Sequence, residues 1–152
     1  MLRSAVYRLL VVLHLLGATV WVGGHLVLSL VVLPRALRAR NASIVSEFES
    51  GYERIGLPAL VLQVITGAWL ALHWVPDVRG WLAPASLHGW LVLVKLGLLA
   101  ATLALAAHAR FRLVPALDGG GLSTLAYHIV GVTLLGVAML ITGVAIRTGG
   151  VW

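Results

Sequence analysis

Four stretches of this chain, residues 5–33, 57–75, 88–108 and 124–146, are each apolar over at least the ~20 residues a helix needs to cross hydrocarbon. Inside lipid no water satisfies a backbone amide, so such stretches must bond internally as helices. In a chain of 152 residues that is 61% hydrophobic and 11% charged, four of them predict an all-α integral membrane protein. The expected architecture is a single four-transmembrane-helix bundle over residues 1–152. The first stretch begins like a secretory signal, with Arg3 and Arg8 ahead of an apolar run. It continues unbroken to Leu33, too long for a signal core, and reads as a retained helix.

The links order the bundle. Helix one is expected to stop at Pro34, and residues 41–55 to form a short amphipathic helix at the membrane surface, carrying Glu47, Glu49 and Glu53 beside Ile44, Val45, Phe48 and Tyr52. Pro58 then sits in the first turn of helix two, where a missing N–H is harmless. Residues 75–87 form an interfacial loop flanked by Trp69, Trp74, Trp81 and Trp90, an aromatic belt. Pro115, Asp118 and Gly119–Gly121 make the last turn. Arg35, Arg38, Arg40 and Arg54 lie in one link and Arg110 and Arg112 in another, so both basic links are placed inside and both termini outside, periplasmic in a bacterial inner membrane. The surplus of 11 basic over 5 acidic residues is thereby explained by topology and anionic lipid; nucleic acid is not an expected partner.

With no cysteine, disulfides, thiolate metal sites, iron–sulfur clusters and covalent haem are excluded. No paired carboxylates, nucleophile arrangement or phosphate-binding glycine loop supports hydrolase or transferase chemistry. What remains is six histidines and Lys95, in or at the ends of the spans, where ionisable groups mark function. His14 and His25 are 11 residues apart, which places them ~20° apart around a helix and ~16 Å apart along it. One helix thus offers two ligand tiers, with Trp21 between them. An outer group contains His14, His73, His88, Lys95, Met139 and Thr142; an inner one contains His25, His108, His128 and Gln63. The expected pairs are His25 with His128 or His108, and His14 with His73. Lys95 has no acid within the helices to neutralise it, which suits an external anion. Glycines 17, 23, 24, 67, 97, 131, 136 and 143 mark close helix packing.

The segment Leu13-His14-Leu15-Leu16-Gly17-Ala18-Thr19-Val20-Trp21-Val22-Gly23-Gly24 resembles the first helix of the copper-resistance CopD family and of the related HemJ-type protoporphyrinogen oxidases. Lys95-Leu96, followed by His108 and a basic patch, fits both; Ile141-Thr142-Gly143 looks CopD-like. The resemblance implies roles for His14, Trp21, Lys95 and His108. It implies either copper passage and tolerance or a b-type haem with porphyrinogen oxidation. His25 departs from the HemJ pattern.

Ligand chemistry favours haem b, one or two groups held by His14, His25, His73, His108 and His128, with electron transfer across or within the membrane. Copper on the same imidazoles is the alternative, because copper(I) carriers usually use thiolates and thioethers, and Met139 is the one intramembrane methionine. Expected partners are the bilayer and a quinone or a periplasmic redox or copper protein; the sequence leaves room for a homo-oligomer.

Overall fold

The computed structural model describes residues 2–113 and 121–150, which are helix and turn without strand. Helix α1 spans Leu2–Val27 and runs through a π-helical turn, Leu28–Val32, into α2, Leu33–Ala39. Helix α3 spans Ser43–Trp74, and a single turn, α4, Arg79–Leu82, leads to α5, Leu87–His108. A second π-helical turn, Ala109–Leu113, extends α5, and α6 spans Leu122–Thr148. Four of these helical runs are long and apolar enough to cross a membrane. Only 11–28% of the residues in their most apolar windows are buried, so most apolar side chains face outward, as lipid solvation requires. The chain is an all-α multi-pass membrane protein.

Pro34 does not end the first helix. The π turn shifts the register so that Leu33 N–H bonds to the Leu28 carbonyl, which takes up the strain of a proline at the second position of α2. The run ends at Arg40, a non-glycine residue in the left-handed region (φ 49°). Asn41 N–H returns to the Ala36 carbonyl, while the Asn41 side chain accepts from both the backbone and hydroxyl of Ser43, starting α3. The amphipathic stretch after Asn41 is continuous with the second span rather than a separate surface helix. Its apolar face has a better partner: fully buried Val45, with Ile44 and Phe48, packs on Leu28, Leu33, Ala36, Leu125 and Ile129. Pro58 consequently lies in the middle of α3, on its exposed side.

At the opposite end the Ser86 hydroxyl caps α5 by accepting from Gly89 N–H, and Trp81 Nε1 donates to the Val75 carbonyl, fixing the link. Helix α6 closes on Gly149 at φ 78°, with Gly150 N–H returning to the Ala145 carbonyl. Pro115, Asp118, Gly119 and Gly120 of the expected last turn lie outside the described residues. Helix α1 packs along α3 and α5 along α6, and α1 against α6 joins the two pairs. Helices α3 and α5 scarcely meet.

Candidate functional site

His14 is held by α3, not by another histidine. Thr66 gives its single hydroxyl proton to the Leu62 carbonyl at 2.6 Å, so its oxygen accepts the 2.8 Å bond from His14 Nδ1–H. That fixes the tautomer and leaves His14 Nε2 with its lone pair. Gln63, expected in the inner group, instead donates to the His14 carbonyl. Gly67 lets the imidazole approach α3 closely: a Cβ there would lie 3.1 Å from His14 Cε1. The partner expected for His14, His73, packs on Tyr7 (ring centroids 4.5 Å apart) and on Trp74, which in turn stacks on His88 at 4.8 Å. Those four rings form a separate cluster tying α1, α3 and α5 together.

His25 likewise donates Nδ1–H to a carbonyl, that of Trp21, at 2.8 Å. Buried Trp21, one helical turn before it, lies against it with the rings 4.5 Å apart. The one Tyr52 hydroxyl proton is shared between the Trp21 carbonyl (3.0 Å) and the Val20 carbonyl (3.1 Å), and the Thr133 hydroxyl, which donates to the Ile129 carbonyl at 2.7 Å, lies 3.2 Å from the His25 carbonyl. The Tyr52 ring occupies the space left by Gly24 on α1 and Gly56 on its own helix. The clearance that two of these glycines create is therefore filled by protein.

The structure brings together His108 and His128. His128 Nδ1–H donates to the Thr124 carbonyl at 3.0 Å, so its Nε2 accepts from His108 Nδ1–H at 2.9 Å. The rings lie nearly parallel, centroids 4.9 Å apart, and His108 Nε2 keeps its lone pair. His14, His25 and His128 thus share an Nδ1–H held by an oxygen acceptor; Nε2 is left with its lone pair in His14 and His25, while that of His128 takes the His108 N–H. This is how a metal-binding imidazole is oriented. Among the described residues no three histidines or acids converge on one metal position.

A cleft of about 480 Å³ opens beside this pair, between α3, α5 and α6, with Trp21 among its lining residues. Glu49, Glu53, Arg110 and His128 stand among its mostly aliphatic walls; Arg110 and Glu53 form an ion pair at 3.5 Å. Lys95 lies elsewhere, over Gly143, where a Cβ would be 3.1 Å from its Nζ, and close enough for its charge to reach His14. It has no hydrogen-bond or ion-pair partner among the described residues. Thr142, buried beside Gly143, bonds to the Ala138 carbonyl, and Met139 is half-buried.

Sequence reasoning missed Tyr52, Thr66 and Thr124. Gly24 and Gly56 were the available signal for Tyr52, since two glycines facing one gap imply a large side chain between them. Thr124 precedes His128 by four residues, one helical turn, which is the spacing that aims an imidazole at a backbone carbonyl.

Compared with protein families, residues 46–146 match the family described as copper resistance protein D (CopD). The match runs from the first turn of α3 almost to the end of α6 and takes in Lys95, His108, Thr124 and His128. It leaves out α1, with His14, Trp21 and His25. No curated protein and no solved structure matches the chain.

Proposed function

The chain belongs to the copper resistance protein D family, and from that premise we propose that it binds copper as cargo through His108 and His128, at the basic end of the bundle. The family makes it a copper-resistance-related membrane protein; the residues that hold the ion are our reading. The observation that carries it is the His108–His128 pair, with the second N–H of His128 anchored on Thr124. A copper ion entering between the rings takes the place of the His108 Nδ1 proton, which moves to the free His108 Nε2 so that both ligands stay neutral imidazoles. Metal–imidazole bonds are about 2 Å long, so the nitrogens must part by roughly 1 Å from their 2.9 Å separation. His108 is the last α-helical residue before the looser π turn at Ala109–Leu113, where such a shift is easiest. Imidazole is a competent copper ligand, and no thiol competes for the ion. With the basic links inside, this site faces the cytoplasm of a bacterial inner membrane, and copper would pass to or from a carrier protein there.

Haem b, favoured by the histidine spacing alone, has less support. A bis-imidazole haem needs two histidines facing each other across a planar gap. His14 lies on Thr66 and Gly67, His25 on Trp21 and Tyr52, and the His108 and His128 nitrogens already touch.

The test is a competition titration of detergent-purified protein with a chromophoric copper(I) chelator, together with an absorption spectrum. Wild type is expected to withdraw one copper from the chelator, His108→Ala and His128→Ala to lose it, and His73→Ala to keep it. Unchanged binding in both inner variants would refute the site. A Soret band with reducible α and β bands would restore the haem reading.

A further inference from the structure

The cleft between α3, α5 and α6 has His128 in its wall and extends well beyond it. Its polar mouth is formed by Glu49, Glu53 and Arg110; Leu60 and Leu103 line its depth. Leu60 lies seven residues along α3 from Glu53, and Leu103 seven along α5–π turn from Arg110, so the cleft runs about 10 Å from mouth to floor. Its volume of about 480 Å³ is that of a small-molecule site. Because α3 and α5 scarcely meet, the cleft is open along its side, and Leu103 at its floor is left 44% exposed there. An apolar space of this size in a membrane is filled from the bilayer, by a molecule with an apolar body and a polar end.

The mouth selects that end. It holds two carboxylates and one guanidinium. Glu53 takes Arg110 at 3.5 Å, while Glu49, half-buried, has no hydrogen bond or close ion pair among the described residues. A carboxylate that feels Arg110 and Glu53 only at a distance, beside a guanidinium that is 60% exposed, complements an ammonium group next to a phosphate. We propose that the cleft is a site for a zwitterionic aminophospholipid, its ammonium on Glu49, its phosphate on Arg110 and the start of one acyl chain against Leu60 and Leu103. An anionic lipid would supply the phosphate but set no cation against Glu49.

The probe is delipidated protein in detergent, titrated with phosphatidylethanolamine or phosphatidylglycerol and read by native mass spectrometry. Wild type is expected to retain one phosphatidylethanolamine, preferred about fivefold over phosphatidylglycerol, the worth of one exposed ion pair. Glu49→Gln should remove the preference while leaving lipid bound, and Leu103→Trp, which fills the floor, should weaken both lipids. Equal affinity for the two lipids in wild type, or a preference that survives Glu49→Gln, would overturn the proposal. So would a quinone recovered stoichiometrically from the cleft and displaced by Leu103→Trp. Copper binding is a separate readout: loss of lipid preference with copper retained, or the reverse, keeps the two sites distinguishable.

Discussion

Neighbouring glycines on α1 should answer differently to the same methyl group. A Cβ on Gly24 would fall inside the Tyr52 ring, 2.7 Å from its hydroxyl oxygen and nearer still to two ring carbons. The ring cannot retreat, because the modest space behind it is already used: a Cβ on Gly56 would lie 2.7 Å from it. Gly24→Ala therefore expels or tilts Tyr52 and breaks its bonds to the Val20 and Trp21 carbonyls. Overpacking of this kind costs about 1–3 kcal/mol and the displaced hydroxyl about 1 more, giving roughly 2–4 kcal/mol of destabilisation. Gly23→Ala is the internal control, since its Cβ meets no atom of the described residues within 4 Å. It should be neutral or mildly stabilising, by up to about 1 kcal/mol. The assay is equilibrium unfolding in mixed detergent micelles, followed by tryptophan fluorescence. In a Tyr52→Ala background the Gly24→Ala penalty should fall to within about 0.5 kcal/mol of zero, because its cause is gone. Equal effects at Gly23 and Gly24, or a Gly24 penalty that persists without Tyr52, would refute the packing argument.

Further expectations concern the polar groups and the helix ends. Thr66→Val, which removes the acceptor of His14 Nδ1–H, should destabilise by about 1–3 kcal/mol and shift the His14 ring resonances in NMR; unchanged resonances would contradict the assigned tautomer. Lys95→Met should be more stable than wild type by about 1 kcal/mol in the same micelles, because it removes an ammonium with no partner among the described residues. Arg40→Gly should stabilise the α2–α3 turn by about 1 kcal/mol, because Arg40 holds φ 49°, and Gly149→Ala, at φ 78°, should cost a similar amount. Hydrogen exchange of the adjoining helical turns checks both changes.

Hydropathy alone located the four crossings, because a run long enough to span lipid has few other folds open to it. It misplaced their ends where a local signal met a tertiary one. Pro34 reads as a stop, yet a π turn absorbs it. Residues 41–55 read as a surface helix, yet Val45 finds a buried place against Leu28 and Leu125 and draws the segment into α3. The histidines split the same way. Helical spacing says which face carries His14 and His25, but not which helix that face meets. His14 met α3 at Thr66, and His73 went to Tyr7 and Trp74. His128 with His108, both assigned to the inner group, do touch, since α5 and α6 are joined at that end and pack along each other. From sequence Tyr52 is only an apolar residue of an amphipathic helix, because no pattern within one helix reveals that its hydroxyl bonds to another.

The central claim is that His108 and His128 together hold copper. X-ray absorption of the copper(I)-loaded protein tests it most directly, comparing wild type with His108→Ala and His128→Ala. The account predicts a low-coordinate ion bound by imidazole nitrogens in wild type, with each single variant losing the ion or one of those imidazoles. An identical spectrum in all three proteins would contradict it.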